Sequence, residues 1–130
     1  PRRDENGNTI DTEENNRMIS PRFMLASQHG TTTASNYVLS RDKCSSYVER
    51  DETTGETYSD WRMPTLAELY MIDILQNIRL CEVKKILEGS WYWSARQSSA
   101  VEFMDPRVGV NSSFDSLKAS VRCVRDVKVN

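Results

Sequence analysis

The 130-residue sequence contains few of the residues from which metal and nucleophilic sites are usually built. It has one histidine, His29, and three cysteines, and no two of these cysteines lie within three residues of each other. Zinc ligands normally occur in closely spaced pairs, so this spacing argues against a zinc site. No serine lies in a nucleophile-elbow sequence, and no pair of carboxylates stands out for glycosidase chemistry. We therefore expect a protein that is not an enzyme and has no cofactor.

Long apolar runs and an excess of positive charge are also lacking. No apolar segment approaches the ~20 residues of a membrane-spanning helix. Seventeen basic and nineteen acidic side chains give a net charge of -2, whereas nucleic-acid-binding domains usually carry a basic face. We expect neither membrane insertion by this domain nor a nucleic-acid partner. The sequence starts at Pro1 without Met or a signal sequence, which suggests an excised domain whose targeting signal lies upstream.

The first seventeen residues have a composition different from the rest of the chain. They are rich in Asp, Glu and Asn, and Ile10 is their only sizeable apolar side chain. Such a segment has too little apolar surface to offset its ordering entropy. We therefore predict a flexible linker or lead-in over residues 1–17, followed by a single domain over residues 18–130.

The strongest local signal is the sequence Thr65-Leu66-Ala67-Glu68, a capping box at the start of a helix. Pro64 stops the preceding segment and keeps its neighbour extended. Apolar residues then repeat at helical spacing, which predicts a helix over Leu66–Asn77. An earlier helix is predicted over residues 40–50, because Cys44, Tyr47 and Val48 would share one face.

Strands are predicted on both sides of these helices. The order strand, helix, helix and then several strands indicates the α+β class. The individual predictions are strands over residues 23–27, 91–94, 101–104, 108–110 and 120–127, turns or loops over 30–33 and 51–60, and a short helical turn over 83–87.

Four separated parts of the chain resemble a known bacterial domain. They are Cys44, the run Asp60-Trp61-Arg62-Met63-Pro64-Thr65 with Glu68 and Leu69, the run Tyr92-Trp93-Ser94, and the run from Val121 to Arg125. This arrangement resembles the C-terminal domain of Lcl-type collagen-like adhesins and is similar to the major paralogous domain of fibre-degrading bacteria. Related domains close fimbrial tip and cell-adhesion proteins of Gram-negative anaerobes. The likeness covers residues 23–126.

The resemblance implies a C-type lectin-like fold, with two helices packed on small antiparallel sheets. The last strand would return beside the first helix. The residues alone leave the cysteine pairing open, but the resemblance implies a Cys44–Cys123 disulfide. These cysteines are 79 positions apart, and closing such a loop contributes about 4.5 kcal/mol in the chain-entropy model. Cys81 would then be a buried free thiol.

Structural roles are expected for most of the motif residues. Trp91 and Trp93 alternate onto one strand face and are expected in the core, with Tyr92 on the other face and exposed. An exposed Tyr92 is the candidate ligand-binding residue. Trp61 is expected to pack under the second helix. The full set of residues given a structural role is Trp61, Arg62, Pro64, Thr65, Glu68, Trp91, Trp93 and Arg122.

The motifs contain three arginines, Arg62, Arg122 and Arg125, whose side chains need carboxylate partners if they are buried. Arg62 is expected to pair with Asp60 or Glu68, and losing a buried partner costs about 3–5 kcal/mol. Arg122 and Arg125 are expected either to be paired in the same way or to be solvated on an exposed strand face.

The sequence also argues against a calcium site and a copper site. The acidic loop with Asp51, Glu52, Glu56 and Asp60 matches neither the EF-hand nor the ligand triplets of calcium-dependent lectins, and calcium needs about six to eight oxygen ligands. The catalytic, formylglycine-generating branch of the fold binds copper through two cysteines near its C-terminal strands. This chain has Cys123 alone there.

The predicted function is a non-catalytic adhesion or ligand-recognition domain of a bacterial cell-surface or fimbrial protein. Its location would be extracellular, at the cell surface, on a fimbrium or on the outer membrane through upstream domains. Partners would be a host or community surface ligand, protein or glycan, or other fimbrial subunits, contacted through loops 51–60 and 96–117. The alternatives are a structural cap or assembly module of a surface filament, which an exposed apolar patch would favour, and a calcium-independent carbohydrate-binding module.

Overall fold

The computed structural model describes residues 1–26, 36–77, 91–96, 100–102 and 120–128. Within these residues lie two α-helices and three two-stranded antiparallel sheets, β1–β6, β2–β3 and β4–β5. The chain therefore has the α+β architecture that the sequence predicted. The elements are a 3-10 turn at Asn15–Arg17, β1 Phe23–Leu25, α1 Tyr37–Ser46, β2 Glu49–Arg50, β3 Thr57–Tyr58, α2 Leu66–Asn77, β4 Trp91–Trp93, β5 Ala100–Glu102 and β6 Val124–Asp126.

The C-terminal strand β6 lies between two segments from earlier in the chain. On one side it pairs with β1, with Leu25 opposite Val124 and Phe23 opposite Asp126. On its other side, the Arg62 N–H donates to the Val124 carbonyl at 2.8 Å, and the Val124 N–H donates back at 2.9 Å. The end of the chain is thereby hydrogen-bonded to both its beginning and its middle.

Helix α2 begins and ends at the residues that the capping box and the apolar spacing predicted. The Thr65 N–H donates to Glu68 Oε1 at 2.9 Å, and the Glu68 N–H donates to Thr65 Oγ1 at 3.1 Å. Asn16, from the N-terminal segment, adds a third cap by accepting the Leu66 N–H at 2.8 Å. Three of the amides around the start of α2 thus have side-chain partners.

Helix α1 begins three residues and ends four residues earlier than predicted. Asn36 caps it by accepting the Leu39 N–H at 2.9 Å, and the helix ends at Ser46. Glu49–Arg50, predicted as its last turn, instead pairs with β3 as one strand of a hairpin. Val48 was predicted to share a buried helix face with Cys44 and Tyr47, but it lies outside the helix and is 57% exposed. The prediction was wrong at these ends because a short polar helix is positioned by its cap rather than by an apolar stripe.

Cys44 and Cys123 form the disulfide that the resemblance implied, with their Cα atoms 5.4 Å apart. Both cysteines are fully buried. The bond joins α1 to the segment that leads into β6, so the last strand lies beside the first helix. Around it packs a core cluster of Ala26, Tyr37, Trp61, Met63, Trp93 and Val121.

Trp61 was predicted to pack under α2, but it lies in the core cluster around the disulfide. Its ring packs edge-on against Tyr47 just after α1, at 5.4 Å between centroids, within the disulfide cluster. Its indole N–H donates to the Tyr58 carbonyl at 3.0 Å. Trp61 therefore connects α1 to the β2–β3 hairpin.

Tyr92 was expected to be exposed, and that prediction was wrong. It is 6% exposed and packs with Leu69 and Ile72 of α2 in a second core cluster. Trp93, on the opposite face of β4, is fully buried against Tyr37. Both faces of this strand are covered, because the two core clusters lie on its two sides. The side chain of Trp91 lies outside the described part of the chain.

The prediction of a flexible lead-in over residues 1–17 is corrected by the packing of this segment. Asn8, Thr9, Asn15 and Asn16 are all buried. The Thr9 hydroxyl donates to the Met63 carbonyl at 2.6 Å, and Asn15 is hydrogen-bonded to the backbone of Arg2. Polar side chains hold this segment through hydrogen bonds to distant backbone groups, which a count of apolar residues cannot reveal.

Several predictions fall outside the described residues. They concern His29, Cys81, the turn at 30–33, the helical turn at 83–87, residues 103–104 of one predicted strand, the strand at 108–110 and most of loop 96–117.

The disulfide leads to a prediction about thiol reactivity. In chain produced in an oxidising compartment and denatured without reductant, alkylation should label Cys81 and leave Cys44 and Cys123 unlabelled. Replacing both bonded cysteines by alanine should lower the free energy of unfolding by about 2–5 kcal/mol. Peptide mapping by mass spectrometry, with a reduced sample as control, checks the first result. Alkylation of both Cys44 and Cys123 in the unreduced sample would contradict it.

Candidate functional site

The guanidinium of Arg62 is fully inaccessible to solvent. Its two terminal nitrogens donate to the two carboxylate oxygens of Glu68 at 2.7 and 2.8 Å. The geometry is the bidentate fork typical of strong arginine–carboxylate pairs. The same guanidinium reaches Asp126 of β6 at 2.8 and 3.2 Å. Glu68, one of the two expected partners, is thus joined by Asp126, which sequence reasoning missed.

Glu68 is as deeply buried as Arg62, and its remaining bonding capacity is used by the backbone. One oxygen accepts the Thr65 N–H, and the other accepts the Ser20 N–H at 2.9 Å. Burial alone would raise the pKa of Glu68, but the hydrogen bonds and charge of Arg62 lower it below its usual value. The carboxylate therefore stays ionised near neutral pH, which does not suit a general acid or base.

Asp126 connects this buried pair to the surface. Its side chain is 35% exposed, and Arg3 donates to it at 2.7 Å from the N-terminal segment. Burial would raise the pKa of Asp126, but Arg62 above all holds it well below the usual range. A second nitrogen of Arg3 donates to the Asp60 carbonyl at 3.0 Å. We call Arg3, Arg62, Glu68 and Asp126 the arginine cluster, and its role is to join three parts of the chain.

The predicted acidic loop over residues 51–60 is a β-hairpin in the structure. The Asp51 carboxylate accepts the Thr53 N–H at 2.8 Å, and the Asp51 N–H donates to the Glu56 carbonyl at 2.8 Å. Gly55 has a φ of 76°, a left-handed conformation that favours glycine. Residues 52–57 are exposed. The Asp51 carboxylate is therefore engaged in shaping the turn.

At the base of the hairpin, an aromatic ring and an ion pair form a partly exposed surface. The guanidinium carbon of Arg125 lies 4.1 Å from the centroid of the Tyr58 ring, and Arg125 donates to Asp60 at 2.6 Å. That hydrogen bond raises the pKa of Arg125. The Tyr58 hydroxyl donates to Glu56 at 2.8 Å. We call Tyr58, Asp60, Arg125 and the turn 51–56 the hairpin surface.

Two further polar side chains lie near this hairpin. Tyr47 donates to Glu49 at 2.7 Å, and burial together with that hydrogen bond raises the pKa of Tyr47 to about 12. Arg122 is 8% exposed, and burial lowers its pKa. Arg122 is therefore buried rather than solvated, while Arg125 is ion-paired at the surface. The hairpin surface offers stacking, cationic and anionic groups, a combination that suits recognition of a polar ligand.

A second surface feature, missed from the sequence, is an apolar groove between α2 and the chain entering β1. It has a volume of about 520 Å³. Met71, Ile72 and Leu75 of α2 form one wall, and residues 19–23 with Leu25 form the other. The missed signal was the width of the apolar stripe on α2: Met71 and Leu75 remain 37% and 38% exposed beside the buried Leu69 and Ile72.

Metal sites and membrane-spanning helices are both absent from the described ranges. In residues 1–26, 36–77, 91–96, 100–102 and 120–128, no three His, Cys, Asp or Glu side chains come together as a metal site. Across these same ranges, no helix has the length and apolar character needed to cross a membrane.

Sequence comparison links the chain to a fimbrial protein. It is 33% identical over 142 aligned positions to two sequences of the major fimbrium tip subunit FimD, both from Porphyromonas gingivalis. The alignment covers 92% of this chain and 21% of each relative, so the chain spans about a fifth of the length of the curated relatives it matches. No protein-family model matches the chain. No solved structure matches it either.

The arginine cluster leads to a prediction about stability. Glu68→Gln should lower the free energy of unfolding by about 3 kcal/mol, because the buried guanidinium of Arg62 loses one of its two carboxylate partners and keeps only Asp126. Chemical denaturation of the variant and the parent chain measures the difference.

Asp60→Asn is the matched control, because it removes the carboxylate from an exposed ion pair. Asp60 is 50% exposed in its pair with Arg125, so this change should cost less than about 1 kcal/mol. Equal losses for the two variants would show that the buried pair has no special role.

The same cluster predicts an acid-dependent loss of stability. In an unfolded chain, Glu and Asp side chains have pKa values of about 4.3 and 3.9. Folding lowers the pKa values of Glu68 and Asp126 below their usual values. Below about pH 5 the unfolded state therefore binds more protons than the folded state, and folding becomes less favourable. Urea unfolding at a series of pH values should show little change from pH 7 to 5 and a steady fall below. Stability that rises between pH 5 and 3 would contradict this assignment.

Proposed function

We propose that this chain is a non-catalytic adhesion or ligand-recognition domain of a fimbrial or other cell-surface protein. The observation that carries the proposal is the 33% identity to a fimbrial tip subunit across 92% of the chain. The Cys44–Cys123 disulfide supports it, because such bonds persist in oxidising, extracytoplasmic compartments. The proposed location is therefore the cell surface or the extracellular space.

We infer that the fold belongs to the C-type lectin-like type. Two arrangements support this inference: the disulfide that brings α1 beside the C-terminal segment, and the pairing of the first strand, β1, with the last strand, β6. The buried arginine cluster and the disulfide make a rigid scaffold, on which exposed turns can vary without disturbing the core.

The proposed contact region is the hairpin surface. Its turn is exposed, and its base is anchored to β6 through Arg125. Tyrosine and arginine are enriched in protein-recognition surfaces, where they supply contact area and directed hydrogen bonds. Tyr92, the earlier candidate, is buried against α2 and does not present a face for stacking against a sugar ring.

A second candidate is a structural or assembly module that contacts other fimbrial subunits. The relative's description as a fimbrium tip subunit favours it, because a subunit must contact its neighbours.

Adhesion through the hairpin surface is tested with beads that display the chain. We expect saturable binding to host epithelial cells or to partner bacteria from the same community, measured by flow cytometry. Arg125→Met should weaken it about tenfold, as expected of a central interface residue. Arg17→Met is the control, because Arg17 is exposed and pairs only locally, with Glu13, among the described residues.

Two results would count against this function. Binding by Arg125→Met at the parent level would remove the hairpin surface as the contact region. Failure of the parent chain to bind either cell type, together with its recovery in a complex with purified fimbrial subunits, would favour the assembly role.

A further inference from the structure

We propose that the apolar groove binds an aliphatic monocarboxylate, with the alkyl chain between α2 and β1 and the carboxylate against Arg22. This site lies apart from the hairpin surface and goes beyond the proposed adhesion function. The shape, the polarity and the charge of the groove support this ligand class.

The shape of the groove suits a small ligand. Its volume of about 520 Å³ lies within the roughly 300–1,000 Å³ range of small-molecule sites. Ile72 is 4% exposed and packs in the cluster with Phe23 and Leu25, so one side of the groove is fixed by the core. Met71 and Leu75 keep more than a third of their surface exposed and are available to a ligand.

The polarity of the groove selects an apolar ligand. Among the described residues that line it, Ser20 and Arg22 are the polar ones. The Ser20 N–H donates to Glu68 and its hydroxyl donates to the Arg22 carbonyl, so these groups are already used. Pro21 has no N–H. A sugar placed here would lose hydration and find, among the described lining residues, only the Arg22 side chain as a new partner, which is costly, whereas an alkyl chain would gain by leaving water.

The charge of the groove selects an anionic head. Arg22 is exposed and lines the groove. Within the part of the chain that the structure describes, no carboxylate pairs with its guanidinium, whereas Arg3, Arg62 and Arg125 each hold one. An exposed arginine among the lining residues of an apolar groove complements a molecule with one carboxylate and a long apolar tail.

The extent of the groove favours such a molecule over a protein partner. A standard protein–protein interface uses about 20–30 residues on each side. In the part of the chain that the structure describes, the groove is lined by residues 19–23 and 25 with three residues of α2. An acyl chain can fill a site of this extent.

The test uses dodecanoate and 1-dodecanol, each below the concentration at which it forms micelles. The full chain carries ¹³C-methyl methionine, and the two probes are titrated separately while the methyl signals are followed by NMR. Met71 lines the groove, and Met24 alternates onto the other face of β1, so these two methyl groups form an internal comparison. We expect a saturable shift at Met71 and none at Met24, with dodecanoate binding about two- to fivefold more tightly than the alcohol.

Three variants separate charge from apolar contact. Arg22→Met should weaken dodecanoate about two- to fivefold and leave dodecanol unchanged, because it removes only the cation. Arg41→Met, on α1, should change neither affinity. Leu75→Asp should abolish binding of both probes while preserving the fold, because Leu75 is 38% exposed. Circular dichroism and thermal unfolding check the fold of each variant.

Each opposing result has a definite meaning. Equal affinity for the two probes, or an Arg22→Met variant that binds dodecanoate like the parent, would overturn the role of the carboxylate. Absence of a saturable shift at Met71 would overturn the site. Concentration-dependent self-association that disappears in Leu75→Asp would show that a second copy of the chain occupies the groove, and would overturn the proposal as well.

Discussion

The fold depends on the buried contact of Arg62 with Glu68 and Asp126. A guanidinium removed from water is tolerated only when carboxylates and carbonyls satisfy its donors, and an unpaired one strongly destabilises the folded state. Glu68 belongs to the first turn of α2 and Asp126 to β6, so satisfying Arg62 requires both elements to be in place. The Ser20 N–H on Glu68 and Arg3 on Asp126 extend the same requirement to the N-terminal segment.

A rigid interior of this kind leaves two surfaces with distinct chemistry. The hairpin surface combines Tyr58, Asp60 and Arg125 and is polar, whereas the groove along α2 is apolar with Arg22 beside it. Each surface contacts the arginine cluster through one backbone group, the Asp60 carbonyl that accepts from Arg3 and the Ser20 N–H that donates to Glu68. The exposed side chains of both surfaces can therefore change while the cluster is kept. Two such surfaces suit the recognition role proposed above, which rests on the similarity to a fimbrial tip subunit.

The parts of the fold that the sequence predicts are those with local causes. Helix α2 follows from a capping box and an apolar repeat within twelve residues, and its bounds agree with the structure. The packing of residues 1–17 could not be foreseen, because Thr9 and Asn16 bond to Met63 and Leu66, more than forty-five positions away. The burial of Tyr92 likewise depends on α2 crossing the far face of β4. Of the surfaces, the region 51–60 was anticipated, but its hairpin pairing and the groove depend on tertiary contacts.

Native-state hydrogen exchange of the Ser20, Arg62, Thr65 and Val124 amides tests most directly whether the arginine cluster holds the fold together. These amides donate to Glu68 or to the paired backbones of Arg62 and Val124. If the cluster forms and breaks as one unit, all four should exchange only through global unfolding, at the same free energy as the Leu69 amide in α2. Exchange of the Ser20 or Val124 amide through a local opening of much lower free energy would contradict the account.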